Sequence, residues 1–147
     1  MVCLGNICRS PLADGLLRDK VLSNNLKVEI DSCGTSSHHV GQRPDERMME
    51  TALKHGCDIS TLRARQFEVV DFKRFDVIYV MDSSNYNNVI KLAKSESDKK
   101  KVKLFLNELY PERNMAVPDP YYGGEQGFEE VYDLVDKTTD IIIEKLK

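Results

Sequence analysis

The sequence predicts an α/β sandwich built on a parallel sheet, and three features of the chain carry that prediction. Apolar residues recur alternately at strand and helix spacing, in the order β-α-β-α-β-α-β-α, as parallel strands joined by crossover helices require. The run Phe75-Asp76-Val77-Ile78-Tyr79-Val80-Met81 is almost continuously apolar, which suits a strand covered on both faces. At 147 residues the chain is one domain, long enough to bury roughly two thirds of its unfolded surface. No repeat, linker or low-complexity stretch divides residues 1–147.

The elements follow in order. Met1-Val2 is a stub of strand before the loop Cys3-Leu4-Gly5-Asn6-Ile7-Cys8-Arg9. Ser10-Pro11 suits a helix start, a capping hydroxyl followed by a residue with no N–H to leave unpaired. From Pro11 to about Asn24, Leu12, Leu16, Leu17 and Val21 recur at helical spacing. Lys27 to Ser32 alternates around Val28 and Ile30 and predicts a short strand, whereas Gly34 to Pro44 is rich in Gly, Ser and His and reads as loop. Asp45 to His55 is a helix with Met48, Met49, Ala52 and Leu53 inward, stopped by Gly56. Phe67 to Lys73 is ambiguous. After the Phe75–Met81 strand come a polar-faced helix over Asp82–Lys94 and a last strand over Val102–Leu106. The lysine cluster within Asp98–Lys103 reads as a solvated turn. Glu108 to Pro120 is mostly loop. Glu125 to Lys147 is a closing helix with Phe128, Val131, Val135, Ile142 and Leu146 on one face.

Bulk properties exclude several functions. A net charge of −3 argues against a nucleic-acid binder, which would present a basic face. No apolar stretch approaches the ~20 residues of a membrane span, and Met1-Val2 leads straight into the loop without a signal peptide. Cys3, Cys8, Cys33 and Cys57 match no zinc-ligand spacing, so free thiols in a cytoplasmic chain are expected. His38 and His39 are adjacent and His55 lies on another element, so no metal site is expected.

The first eleven residues carry the chemistry. Gly5 can adopt positive φ and Asn6 tolerates it, so the chain can curl until several backbone N–H groups face one point. Such a nest binds an anion, reinforced by the positive end of the following helix. Cys3 would sit on its floor as a thiolate, and Arg9 would close the rim with a planar grip on phosphate oxygens. Loops of this kind usually hang from a buried parallel strand. The short start therefore suggests that Met1 occupies an internal strand position, the alternative being that the sheet tolerates a stub.

The run Cys3-Leu4-Gly5-Asn6-Ile7-Cys8-Arg9-Ser10-Pro11 closely resembles the signature of the low-molecular-weight protein tyrosine phosphatases. Asp31-Ser32, Ala64-Arg65-Gln66, Phe75-Asp76, Met81-Asp82 and Val117-Pro118-Asp119-Pro120-Tyr121-Tyr122-Gly123-Gly124 resemble further family landmarks in family order. The resemblance covers essentially the whole chain. It implies a flavodoxin-like three-layer sandwich with a four-stranded sheet of order 2-1-3-4, and hydrolysis of phosphotyrosine or small aryl phosphates through a phosphocysteine. No cofactor is implied, inorganic phosphate is the product, and a monomer is the starting expectation.

Residue by residue, the resemblance makes Cys3 the nucleophile, Arg9 the phosphate clamp and Asp119 the general acid. Leu4, Gly5, Asn6, Ile7, Cys8, Arg9 and Ser10 form the phosphate loop, with Ser10 donating its hydroxyl to the thiolate. On composition alone, Pro118 to Gly124 is only a turn. The flanking prolines offer Asp119 no N–H that would hold it ionised. Tyr121 and Tyr122 would wall the cleft against a substrate ring and are candidate phosphorylation sites. Asn6 would hold the loop through side-chain bonds, with Ser32 and Asp82 either in the same network or capping strand ends. His38 falls where family members vary an aromatic residue that tunes specificity, although two exposed loop histidines are an equal reading. Many eukaryotic members carry a loop-supporting histidine shortly before Ala-Arg-Gln; Leu62 stands there, so that support is absent or replaced. Cys8 either closes a reversible disulfide with Cys3 under peroxide, as in the family, or packs as an ordinary thiol. Cys33 and Cys57 read as small core residues.

Three rival activities are weaker. Arsenate reduction on this fold needs a further cysteine pair on a mobile segment, and no cysteine follows Met81. Phosphoarginine phosphatases of the family tend to carry Thr at the position of Ile7. A non-catalytic phosphotyrosine module would be expected to lose Cys3, Arg9 or Asp119.

Overall fold

In the computed structural model, which describes residues 1–121 and 123–147, four parallel strands form one sheet of order β2-β1-β3-β4. They are β1 (Val2–Cys3), β2 (Cys33–Gly34), β3 (Ile78–Val80) and β4 (Val102–Leu104). Val2 pairs with Cys33 on one side and Val80 on the other, and β3 aligns Ile78, Tyr79 and Val80 with Val102, Lys103 and Leu104. The order reverses at β1, which places the end of β1 at the crevice where parallel α/β sheets bind ligands.

Two buried clusters flank the sheet, making three layers. On one face Leu12, Leu16, Leu17 and Val21 of α1 (Arg9–Ser23) pack with Met48 and Ala52 of α2 (Glu46–Lys54) and with Phe128, Val131, Val135 and Ile142 of α6 (Glu125–Leu146). On the other, Val2, Ile78 and Val80 pack with Phe72 of α3 (Asp71–Arg74) and Val89 of α4 (Ser83–Ile90). The remaining helix, α5 (Glu96–Lys100), exposes its surface beside β4.

Several expected boundaries are corrected. Helix α1 starts at Arg9, because the Cys8 carbonyl accepts the Leu12 N–H (3.3 Å); Ser10 lies inside the first turn and does not cap it. The second strand is Cys33–Gly34, not Lys27–Ser32. A strand needs a partner: Cys33 N–H donates to the Met1 carbonyl (2.9 Å) and the Met1 ammonium to the Asp31 carbonyl (3.0 Å), so the ladder begins there. Residues 27–33 and 74–79 instead border a groove of about 380 Å³, with Met1 and Val2 lining it. Phe75–Val77 and Met81 fall outside β3, and β4 ends at Leu104 in a 3₁₀ turn over Phe105–Asn107. The polar-faced helix ends at Ile90, and the lysine cluster lies partly in α5, whose cap Ser95 accepts the Asp98 N–H (3.1 Å). The ambiguous segment holds α3. Leu53 (63% exposed) and Leu146 (40%) face solvent at helix ends rather than the core.

Candidate active site

The end of β1 delivers Cys3 into a tight loop that closes on itself through Asn6. Asn6 adopts φ 58°, a conformation that its short polar side chain tolerates and rewards with local hydrogen bonds. Its backbone N–H then points at Cys3 Sγ (3.2 Å). The Asn6 amide nitrogen donates to Ser10 Oγ (2.7 Å) and Ser32 Oγ (3.1 Å), while its oxygen accepts the Arg65 N–H (3.1 Å). Ser10 Oγ lies 3.1 Å from Cys3 Sγ and 3.3 Å from the Cys33 carbonyl, two partners for one hydroxyl proton. Asn6, Ser10 and Cys3 are all buried.

Glycines set the loop's surroundings, although Gly5 does so differently from expectation. It lies outside the positive-φ region, and its role is space: a Cβ there would meet the His39 ring at 2.9 Å. Gly34 on β2 is tighter still, its would-be Cβ falling 2.7 Å from the Leu4 carbonyl oxygen.

Arg9 occupies the first turn of α1 and is 3% exposed. Its Nη1 donates to Asp82 Oδ2 (2.7 Å) and to the Val117 carbonyl (3.0 Å), and its Nη2 lies 3.8 Å from Asp119 Oδ2. Asp82 also caps α4 by accepting the Asn85 N–H (2.8 Å). Arg9 is thus anchored at once by Asp82, just past β3, and by the irregular chain before α6. Asp119 is not free of N–H donors, as the proline argument supposed: Tyr121 N–H reaches around to its Oδ1 (3.0 Å).

Cys3, Leu4, Gly5, Ile7, Cys8, Arg9, His38, Asp119 and Tyr121 all line one open cavity of about 420 Å³. Leu4 stands half-exposed on its rim and Ile7 and Cys8 are buried in its wall. Burial, with Asp45 and Cys3 adding to it, pushes the Cys8 thiol far above its ordinary range, so it stays neutral. His38 is exposed, whereas the half-buried His39 lies against Gly5 and donates Nδ1–H to Gln42 Oε1 (2.9 Å). His39, read in sequence with His38 as one of two loop histidines, also lines the cavity, as does Gln42, which sequence reasoning did not single out. Tyr122 lies outside the described residues. All four cysteines are free, and among the described residues no cluster of His, Cys, Asp or Glu has the makings of a metal site.

Behind the loop, Arg65 and Asp31, each within a landmark of the sequence, join Asp71 in one ion-pair network. Arg65 forks onto Asp71 (3.0 Å to each oxygen) and reaches Asp31 (3.1 Å), tying the Asn6 support to α3. Burial would lower the Arg65 charge affinity, but the hydrogen bonds to Asp71 and the nearby acids win and hold it firmly protonated. Leu62, where some relatives are expected to carry histidine, packs half-buried against the core.

A parallel sheet that lifts a thiol into a turn of backbone amides, beside a buried arginine and a reachable carboxyl, defines a class: the cysteine-dependent phosphomonoester hydrolases. The family model described as low molecular weight phosphotyrosine protein phosphatase matches residues 1–147. A low molecular weight phosphotyrosine protein phosphatase of Schizosaccharomyces pombe is 46% identical over 139 residues, covering 92% of this chain and 88% of the relative. The Homo sapiens protein of the same description is 36% identical over 147 residues, covering 98% and 92%. The crystal structure of a protein tyrosine phosphatase from Entamoeba histolytica, with Hepes in its active site, superposes with a TM-score of 0.91 at 37% identity, covering 99% of this chain and 93% of that one. The chain belongs to the low molecular weight phosphotyrosine protein phosphatase family. Among the described residues, no helix is long and apolar enough to cross a membrane.

Proposed function

We propose that this chain hydrolyses phosphotyrosine in proteins and small aryl phosphate monoesters through a phosphocysteine formed on Cys3. The observation that carries this reading is the environment of Cys3 Sγ: an amide N–H at 3.2 Å and a hydroxyl at 3.1 Å in the same cavity as Arg9 and Asp119.

The steps follow from the placement. The Cys3 thiolate attacks phosphorus, forming the S–P bond as the bond from phosphorus to the aryl oxygen breaks. Asp119, in its acid form, gives the leaving oxygen its proton. Loop amides and the N-terminal end of α1 stabilise the charge on the equatorial oxygens. Arg9, held from behind by Asp82 and Val117, is pre-aimed rather than flexible, which suits stabilisation of a transition state. Water then attacks phosphorus, passes a proton to Asp119, and releases inorganic phosphate and the thiolate, to which Ser10 donates its hydroxyl. Tyr121 and Tyr122 would flank the substrate ring, with His38 lining the same cavity as Tyr121. The proposed setting is a cytoplasmic monomer that needs no cofactor. The names of the relatives support the substrate class.

The test is a series of aryl phosphates with leaving groups of rising basicity, assayed with Cys3→Ser and Asp119→Ala. Cys3→Ser is expected to be inactive on all. Asp119→Ala is expected to lose about 10²–10⁴-fold on basic leaving groups and little on acidic ones. A parent that binds phosphotyrosine peptide yet turns over nothing would overturn the reading in favour of a binding module.

A further inference from the structure

Arg47 lies outside the lining of the Cys3 cavity, yet it joins three parts of the site. On the first turn of α2, its Nε donates to Asp45 Oδ1 (3.1 Å) and its Nη2 to Asp45 Oδ2 (2.9 Å), a two-point fork. Nη2 also donates to the Tyr121 carbonyl (3.0 Å). The guanidinium stands 5.4 Å from the Tyr121 ring centroid and 4.7 Å from that of Phe128, a buried residue of α6. Both ends of this group reach the chemistry. Asp45 N–H donates to the Ile7 carbonyl of the phosphate loop (2.8 Å), and Tyr121 N–H donates to Asp119 Oδ1 (3.0 Å).

We propose that Arg47 is a positioning residue, a brace that fixes the Asp119–Tyr121 segment against the phosphate loop and so sets where the acid stands relative to Cys3. The proposal rests on the general-acid role of Asp119 given above. The segment needs a brace. It falls in irregular chain before α6, and Asp119 and Tyr121 are exposed. Another cationic neighbour, Arg9, is assigned to the phosphate oxygens, whereas Arg47 stays off the reacting group. The fork also neutralises Arg47 locally, so it acts by geometry more than by field. Burial alone would raise the Asp45 carboxyl, but the hydrogen bonds from Arg47 outweigh it and hold Asp45 below the ordinary carboxylate range. Lysine cannot substitute: one ammonium point charge cannot fork onto Asp45, reach the Tyr121 carbonyl and lie over two rings together.

The experiment measures kcat and KM for Arg47→Lys and Arg47→Met, alone and combined with Asp119→Ala, on one acidic and one basic aryl leaving group. A displacement of the acid approaching 1 Å costs about 10²-fold. Both variants are therefore expected to lose 10- to 100-fold in kcat on the basic leaving group and less than about threefold on the acidic one. In the Asp119→Ala background they should cost nothing further in kcat, because the group they position is gone. Equal losses on both leaving groups, losses that add to Asp119→Ala, or parental kinetics in Arg47→Lys would each overturn the brace. Arg47 is exposed, so folding should survive; thermal unfolding of Arg47→Lys checks it. If Asp119→Ala itself showed no leaving-group dependence, the general-acid reading would fall and the brace with it. If Asp119→Ala showed the dependence and the Arg47 variants did not, only the brace would fall.

Discussion

Gly34→Ala tests whether the phosphate loop is held by its neighbour strand as tightly as the geometry requires. The added Cβ would lie 2.7 Å from the Leu4 carbonyl oxygen, 3.1 Å from the Gly5 carbonyl carbon and 3.2 Å from the Asn6 nitrogen. An ordinary carbon–oxygen contact needs about 3.3 Å, so the loop must retreat by roughly 0.6 Å. All three obstacles are backbone, and none can swing aside as a side chain would. Retreat is also opposed by bonds crossing the same seam, Thr35 N–H to the Cys3 carbonyl and Ser36 N–H to the Leu4 carbonyl, both 2.9 Å. Overpacking of this kind costs about 1–3 kcal/mol. Displacing the Asn6 N–H from Cys3 Sγ should cost kcat/KM about 10- to 100-fold, by the steep dependence of catalysis on sub-ångström placement. Calorimetric unfolding and steady-state hydrolysis of an aryl phosphate measure the two effects. Gly127→Ala, within α6, is the control: among the described residues its added Cβ meets only Pro120 Cβ, at 3.9 Å, and it should stabilise by up to about 1 kcal/mol. Parental stability and activity in Gly34→Ala would refute the reasoning.

Other consequences are as direct. Asn6→Gly keeps the positive φ and loses the side-chain bonds, whereas Asn6→Ala loses both; Asn6→Ala should be less stable by about a further 1–2 kcal/mol, and denaturant titration separates them. Carboxymethylation followed by peptide mapping should modify Cys3 first, with inorganic phosphate protecting it. Burial pushes the Cys33 and Cys57 thiols up to about 12 and Cys8 higher. These groups stay protonated below their raised values, so their labelling should grow only as pH climbs toward 12 or the protein unfolds. Adding four alternating apolar residues before Met1 should fill the groove of about 380 Å³ bordered by residues 27–33 and 74–79. It would cover Val28 and Val77, now 38% and 39% exposed, and raise the melting temperature by about 2–4 °C per kcal/mol gained. A Gly-Ser extension of equal length should not.

The layers and the sheet order were legible because they rest on long periodic segments and a dense motif. Leu12, Leu16, Leu17 and Val21 point inward as their spacing demanded. What was misread depends on partners that local pattern cannot supply. Val28 and Ile30 alternate like a strand, but among the described residues no neighbouring strand runs beside them, so pairing begins only where Met1 meets Asp31 and Cys33. Ser10 has the composition of a cap, yet its hydroxyl turns toward Cys3, a contact made across the loop. Helix α5 did leave a local mark, Ser95 followed three residues later by Asp98, which the lysines obscured. Arg47 carried no signal in the sequence, and Arg65 stood out only as part of the Ala64-Arg65-Gln66 landmark. Their roles arise from partners up to 74 and 34 residues away, Tyr121 and Asp31.

The central claim is a covalent bond from Cys3 to phosphorus. Asp119→Ala, mixed with an aryl phosphate whose leaving group needs no proton, should form that bond quickly and hydrolyse it slowly, because the first step then needs no acid while the second lacks the carboxylate that takes a proton from water. Acid-quenched protein, digested and mapped by mass, should then carry one phosphoryl group on the Cys3 peptide and none in the Cys3→Ser counterpart. A phosphoryl group on any other residue, or full turnover by Cys3→Ser, would contradict the account.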